Sequence, residues 1–132
     1  MTSSWRKIWT ILFIIYIAAV LWCCFGNFND VPKPPISLFG IPMDKLVHFI
    51  MFFPFPILGW LAFDRFTVKP WQTLLFVAAA FLAGCLLAAA TEAGQTLTSY
   101  RTGDVNDFAA DMLSLAISSV IVLFIDLHKQ KK

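Results

Sequence analysis

Residues 71–91 read WQTLLFVAAAFLAGCLLAAAT, an apolar run without a charged side chain. About 20 consecutive apolar residues are enough for a helix to cross the ~30 Å hydrocarbon core of a bilayer. Backbone groups in lipid must be satisfied within their own segment, so the run predicts a transmembrane helix. Three further apolar runs of similar length occupy 8–25, 46–63 and 108–127. We therefore predict an all-α fold, a four-helix transmembrane bundle that forms a single domain over residues 1–132.

The overall composition supports a membrane protein and excludes several other classes. Only 14% of the residues are charged, with a mean hydropathy of +0.76, whereas a soluble domain has about 25% charged residues. The net charge of +2 and the lack of a basic stripe argue against a nucleic-acid partner. Phosphate-binding and dinucleotide-binding glycine motifs and the GxSxG serine motif are absent from the sequence. The lipid bilayer is therefore the one partner that the composition predicts.

Two local features refine the predicted bundle. Pro54 and Pro56 lie inside the second apolar run, and proline removes a backbone donor, so this helix should be kinked.

Basic residues are concentrated on one side of the predicted spans, with seven expected inside (Arg6, Lys7, Arg65, Lys69, Lys129, Lys131 and Lys132) and three outside (Lys33, Lys45 and Arg101). The positive-inside rule therefore predicts that both ends of the sequence are cytoplasmic.

Nine polar residues fall at the outer end of three predicted helices. They are Asp44, Lys45, His48, Glu92, Gln95, Arg101, Asp104, Asp107 and Asp111. Residues three or four apart share one face of a helix, so Asp44 lies beside His48, and Asp107 beside Asp111. Ionisable groups in or beside transmembrane segments are costly and usually mark a functional site. We therefore predict that these residues form one site.

The residue types suggest roles within that site. Acid–base roles are predicted for His48, Glu92, Asp107 and Asp111. Substrate contacts are predicted for Asp44, Lys45, Gln95, Arg101 and Asp104. Plainer interpretations stay open: Asp44 and Asp107 could cap helices, and Lys45 could extend to lipid headgroups. A tight ligand motif such as HExxH is missing from the sequence, so no metal centre is predicted and the cofactor is left open.

The order and spacing of these residues resemble the VanZ-like family. The pattern is Asp44-Lys45-x-x-His48, then Glu92-x-x-Gln95, then Arg101-x-x-Asp104-x-x-Asp107-x-x-x-Asp111, and the resemblance extends from there to Ser114. Asparagine is common in the family where this chain has Asp111, and glycine where it has Ser114. The resemblance implies a small multi-pass protein of the bacterial inner membrane, and the founding member is associated with teicoplanin resistance.

Two functions from different classes fit this reading. The first is an envelope enzyme that hydrolyses or transfers part of a lipid or envelope-precursor headgroup at the outer leaflet. The second is a non-enzymatic protein that binds a lipid, a glycopeptide or another envelope component. Whether the protein is an enzyme is therefore left open, and a contribution to glycopeptide resistance is an expectation from the resemblance.

Overall fold

The structure is a computed structural model that describes residues 1–27, 32, 35–99 and 103–132. Its helices are α1 (Ser3–Phe25), α2 (Met43–Phe52), α3 (Pro54–Phe63), α4 (Pro70–Gln95) and α5 (Val105–Gln130), with a short 3₁₀ turn at Asp64–Phe66. The stretches Ser3–Phe25, Met43–Phe66, Pro70–Gln95 and Val105–Gln130 are long and apolar enough to cross a membrane. The predicted four-helix transmembrane fold is confirmed.

All four spans extend beyond the apolar runs that predicted them: α1 starts at Ser3 where the run starts at 8, and α2 starts at Met43 where the run starts at 46. The third apolar run ends at position 91, but α4 continues to Gln95; the fourth begins at 108, but α5 starts at Val105. The added turns contain buried polar residues, Glu92 and Asp107. Hydropathy locates the part of a helix that suits lipid, whereas buried polar groups can prolong a helix because they find partners inside the bundle.

The second span is divided at Phe53, directly before Pro54. This is the predicted kink: prolines cannot donate a backbone hydrogen bond, so the helix cannot continue unbroken. Side chains of neighbouring helices bond to carbonyl groups beside the break. The Tyr16 hydroxyl donates to the Met51 carbonyl at 2.5 Å, and the Ser114 hydroxyl donates to the Phe49 carbonyl at 2.5 Å. The broken span is therefore held by α1 on one side and α5 on the other.

A short hairpin leads into α2. Strand β1 (Ser37–Leu38) pairs antiparallel with β2 (Ile41–Pro42), and the turn residues Phe39 and Gly40 have φ values of 52° and 78°. Positive φ at both turn residues is the geometry favoured in two-residue hairpins. Residues 28–31, 33 and 34 of the connection that precedes this hairpin lie outside the described residues.

The apolar core lies where α1, α2, α3, α4 and α5 meet. Its buried residues are Val20, Cys24, Phe52, Phe55, Ala88 and Leu115. Gly84 of α4 lies against this core: a Cβ atom built there would be 2.5 Å from Leu115 Cδ2 and 3.2 Å from Phe55 Cδ1. Small residues allow membrane helices to approach closely. The contact at Gly84 therefore sets the distance at which α4 packs against α5.

A buried polar network joins three helices near the C-terminal end of α5, and the sequence analysis did not single it out. The Asp126 carboxylate accepts hydrogen bonds from Trp60 Nε1 at 3.0 Å, the Thr73 hydroxyl at 2.5 Å and Gln130 Nε2 at 2.9 Å. Asp126 is only 1% exposed. A carboxylate near the end of an apolar run was a usable signal, since intramembrane acids need partners. We call this end of the bundle the inner end, and the end that carries Asp44 and Asp104 the outer end.

The two names correspond to a testable orientation. Four spans leave residues 1 and 132 on the same side, and the distribution of basic residues predicts that this side is cytoplasmic. A fluorescent protein fused after Lys132 should fluoresce, whereas alkaline phosphatase at the same position should be inactive. The reverse result, with phosphatase activity and no fluorescence, would contradict the orientation.

Candidate functional site

Three helix ends bring most of the predicted residues together at the outer end. The first turns of α2 carry Asp44, Lys45 and His48, the end of α4 carries Glu92, and the start of α5 follows the capping residue Asp104. Direct contacts link these groups. We define the outer cluster as the following residues: Asp44, Lys45, His48, Glu92, Asp104, Asp107 and Asp111. The structure thus places side chains from three separate spans next to one another. Arg101 lies outside the described residues.

His48 lies at the centre of the outer cluster, surrounded by three carboxylates. Its Nδ1 atom is 3.0 Å from Asp111 Oδ1 and 3.6 Å from Glu92 Oε1, and its Nε2 atom is 3.5 Å from Asp107 Oδ2. The Asp111 side chain is fully buried. A buried carboxylate that accepts from Nδ1–H fixes the orientation and tautomer of the ring, as in catalytic histidine–aspartate pairs. Nε2 is then the ring atom left for chemistry.

Lys45 is paired with carboxylates from two helices. Its Nζ atom lies 3.2 Å from Asp44 Oδ2, 3.3 Å from Asp104 Oδ2 and 3.3 Å from Asp107 Oδ1. The ammonium group therefore joins the start of α2 to the start of α5. Neither of the capping roles that the sequence left open is seen. Helix α2 begins after Pro42 without a side-chain cap in the described part of the chain, and Asp107 lies within the first turn of α5.

Asp104, rather than Asp107, caps α5. Its Oδ1 atom accepts from the backbone N–H of Asn106 at 2.8 Å. This hydrogen bond, together with the Lys45 ammonium, holds the pKa of the Asp104 carboxyl below its usual value, although burial acts in the opposite direction. Asp104 therefore stays negatively charged well into the acidic range. Its charge contributes to the cluster throughout the physiological pH range.

Glu92 connects the cluster to the turn before α5. Its Oε2 atom accepts from the Asp104 backbone N–H at 2.9 Å. Its Oε1 atom is buried and has no hydrogen-bond partner among the described residues, although it faces His48. A buried carboxylate oxygen without a partner is costly, so this atom is available for a proton, a ligand or a cation.

Gln95 has a different neighbour from the other predicted residues. Its Nε2 atom donates to the Cys24 carbonyl at 2.9 Å, and the side chain is buried. This bond ties the end of α4 to the end of α1. The predicted substrate contact from Gln95 therefore has a competing structural role, which the spacing of Glu92 and Gln95 on one helical face did not reveal.

The donor atoms of the cluster can also accommodate a divalent cation. One ring nitrogen of His48 and one oxygen each of Glu92 and Asp107 lie within 4.8 Å of one another. Such nitrogen and carboxylate ligands suit zinc and related metals, and Asp111 would orient the histidine from behind. A second group, Asp44, Asp104 and Asp107, is similarly close but surrounds the Lys45 ammonium. Ligands from three helices leave no compact sequence motif, which is why spacing alone predicted no metal.

A cavity of about 290 Å³ adjoins the cluster between α4 and α5. Glu92 and Asp104 line it together with apolar side chains that include Ala89, Val105 and Phe108. The lining of this cavity thus combines two acidic residues of the outer cluster with apolar side chains.

Gly103 is required by the close approach of this turn to α4. A Cβ atom at position 103 would lie 2.8 Å from the Glu92 backbone carbonyl oxygen and 2.6 Å from Thr96 Cγ2. We expect Gly103→Ala to displace the turn, break the Glu92–Asp104 bond and lower the free energy of unfolding by about 1–3 kcal/mol. Unfolding of the purified variant in mixed micelles measures this change. Gly59→Ala is a control for generic glycine effects, because the nearest atom to its Cβ position is Phe13 Cζ at 3.7 Å, an ordinary contact; equal losses in both variants would contradict the steric explanation.

Together, the four spans and the histidine–carboxylate cluster at the outer end define a small multi-pass membrane protein with a polar site at one membrane boundary. The family model described as VanZ/LLP1 matches residues 11–126, which include all nine predicted site positions. The chain belongs to the VanZ/LLP1 family, as the sequence pattern indicated. No curated protein and no solved structure matches it.

Proposed function

We propose that this VanZ/LLP1 family member works in the cell envelope of a bacterium, as a multi-pass protein of the inner membrane. In this proposal the outer cluster acts on the headgroup of a lipid or lipid-linked envelope precursor. The observation that carries the proposal is the placement of His48, with Nδ1 3.0 Å from Asp111 and Nε2 3.5 Å from Asp107. The cavity beside Glu92 supports a membrane-embedded substrate.

The proposed chemistry is acid–base catalysis of hydrolysis or group transfer. His48 takes a proton from a water molecule or a hydroxyl group through Nε2, and that oxygen attacks the headgroup. The proton is then returned to the departing group as its bond to the headgroup breaks. Asp111 keeps the imidazole in the required orientation, and Glu92 Oε1, which is buried beside His48, is a second proton acceptor.

The charges of the cluster favour a ligand that carries a positive group. Among the described residues, five carboxylates, from Asp44, Glu92, Asp104, Asp107 and Asp111, face one ammonium group and one imidazole. Lys45 was predicted to hold an anionic headgroup, but its Nζ atom already contacts three of these carboxylates. An amine-bearing headgroup, or a headgroup accompanied by a divalent cation, matches this balance better.

A non-enzymatic binding role is the second candidate, and the extensive pairing within the cluster favours it. Lys45 and Asp104 already have hydrogen-bond partners, so their side chains are held in place before a ligand arrives. Such a preformed polar cup, meaning the outer cluster used as a rigid binding surface, suits recognition of a lipid or a glycopeptide. Binding to a cup depends on several weak contacts, so Asp107→Asn should weaken function gradually. A contribution to glycopeptide resistance, including resistance to teicoplanin, is compatible with either role.

Comparative mass spectrometry of lipids and lipid-linked precursors tests the enzymatic proposal. Cells with the wild-type chain and cells with Glu92→Gln are compared at matched membrane levels. Glutamine retains an oxygen that can accept from the Asp104 N–H, so this variant should fold. We expect at least one headgroup-modified species that depends on the wild-type chain and disappears with the variant.

The controls separate the two roles. Gln72→Glu lies at the other end of the same helix and keeps a side-chain oxygen that accepts from the Lys69 N–H, so it introduces a charge without touching His48. Identical lipid profiles for wild type, Glu92→Gln and cells without the chain would exclude turnover of the detected lipids. Copurification of one lipid species with the wild-type chain that is weakened in Asp107→Asn would then favour the binding role.

A further inference from the structure

A second candidate site lies at the inner end of the bundle. A cavity of about 460 Å³ opens between the start of α1 and the end of α3. Three cationic side chains, Arg6, Lys7 and Arg65, line it together with apolar residues that include Ile11 and Phe63. The cavity is therefore basic on one side and apolar on the other, the opposite of the acidic outer cluster.

The cations of this cavity are only partly neutralised. Arg6 Nε is 3.9 Å from Asp64 Oδ1, too far for a hydrogen bond, and it is buried without a hydrogen-bond partner among the described residues. The other Asp64 oxygen lies 3.8 Å from Lys129 Nζ, so one carboxylate is shared by two cations. The Arg65 guanidinium lies over the Phe66 ring at 4.6 Å. An anion would give Arg6 Nε the acceptor that it lacks, beside the Nη2 atom, which donates to the Met1 carbonyl at 3.2 Å.

An apolar groove shares a wall with the basic cavity. The groove has a volume of about 250 Å³ between α1, α3 and α4, and its lining includes Phe13, Phe55, Gly59 and Phe76. Phe63 lines both the groove and the basic cavity. Gly59 contributes no side chain, which keeps the groove open beside the Phe13 ring. An anionic head and an apolar tail are thus accommodated on adjoining surfaces.

We propose that the inner end binds one anionic phospholipid, such as phosphatidylglycerol, as a specific ligand. The phosphate lies between Arg6, Lys7 and Arg65, where arginine can form paired hydrogen bonds with its oxygens. One acyl chain follows the groove past Phe63 and Gly59. Basic pockets between membrane helices on the cytoplasmic side are suited to such headgroups. This site is independent of the outer cluster and of its proposed reaction.

Native mass spectrometry of the purified full chain tests the proposal. The protein is transferred from micelles that contain equal amounts of phosphatidylglycerol and phosphatidylcholine, and the retained lipid is counted. We expect one phosphatidylglycerol per chain and about tenfold lower retention in Arg6→Gln/Arg65→Gln, because two phosphate contacts are lost. Lys131→Gln/Lys132→Gln removes the same charge at the same end without altering the cavity and should retain the lipid as wild type does.

Two further measurements keep the result interpretable. Gly59→Ala places a methyl group 3.7 Å from the Phe13 ring, an ordinary contact, so this variant should fold but bind the acyl chain less well. Added glycerol 3-phosphate should not release the lipid. Equal loss of lipid in the two double variants would mean that lipid retention depends only on the net charge of the inner end. Release of the lipid by glycerol 3-phosphate would mean that the cavity binds a small anion. Either outcome overturns the proposal. Unfolding curves of every variant identify any loss caused by misfolding.

Discussion

Replacing His48 with glutamine is expected to lower the rate of the outer-face reaction by about 10²–10⁴-fold, the usual contribution of a positioned acid–base group. His48 is the only described residue of the outer cluster that contacts Asp111, Glu92 and Asp107 together. Glutamine can replace some of these hydrogen bonds but cannot exchange a proton near neutral pH. Initial rates on the lipid that depends on the wild-type chain, with purified protein in vesicles, measure the effect.

The matched control is Val47→Ala, because Val47 lies next to His48 on α2 but is 49% exposed and is not part of the outer cluster. Surface substitutions usually have small effects, so we expect a rate close to that of the wild type. Asp111→Asn should also lower the rate, because an amide can bond to either imidazole tautomer and no longer enforces the one that leaves Nε2 free to accept a proton. Comparable losses in His48→Gln and Val47→Ala would point to structural damage, and an unchanged rate in His48→Gln would exclude the histidine as the acid–base group.

The largest expected effect on stability comes from Asp126→Ala at the inner end. The substitution leaves Trp60 Nε1 and the Thr73 hydroxyl without their acceptor and loosens Gln130, so three helices lose a common contact. Buried donors without partners are costly, and we expect the free energy of unfolding to fall by about 2–4 kcal/mol. Denaturant unfolding in mixed micelles measures this change.

Ser119→Ala is the control for this measurement. Ser119 lies on the same helix and is 4% exposed, but its hydroxyl has no hydrogen-bond partner among the described residues. Its removal should change the free energy of unfolding by less than about 0.5 kcal/mol, or slightly stabilise the protein. If both substitutions cost the same, polarity within α5 would matter more than the Asp126 network.

The sequence by itself determined the class of fold and the end of the bundle at which the outer cluster forms. The length and hydropathy of an apolar run are local properties, and they suffice to count spans because lipid cannot satisfy an exposed backbone. The prolines at 54 and 56 predicted the division of the second span for an equally local reason. Four successive spans then required the polar ends of three of them to face the same side.

Tertiary structure decided which of those polar groups touch. Sequence spacing placed Glu92 and Gln95 on one face, but only packing sends Glu92 to Asp104 and His48 and sends Gln95 to Cys24. The same holds for Lys45, which meets carboxylates about 60 residues away in the chain. These pairings depend on the rotation and separation of whole helices, set by contacts such as Gly84 on Leu115. Local sequence fixes what a helix carries; the packing of one helix on another fixes what each side chain meets.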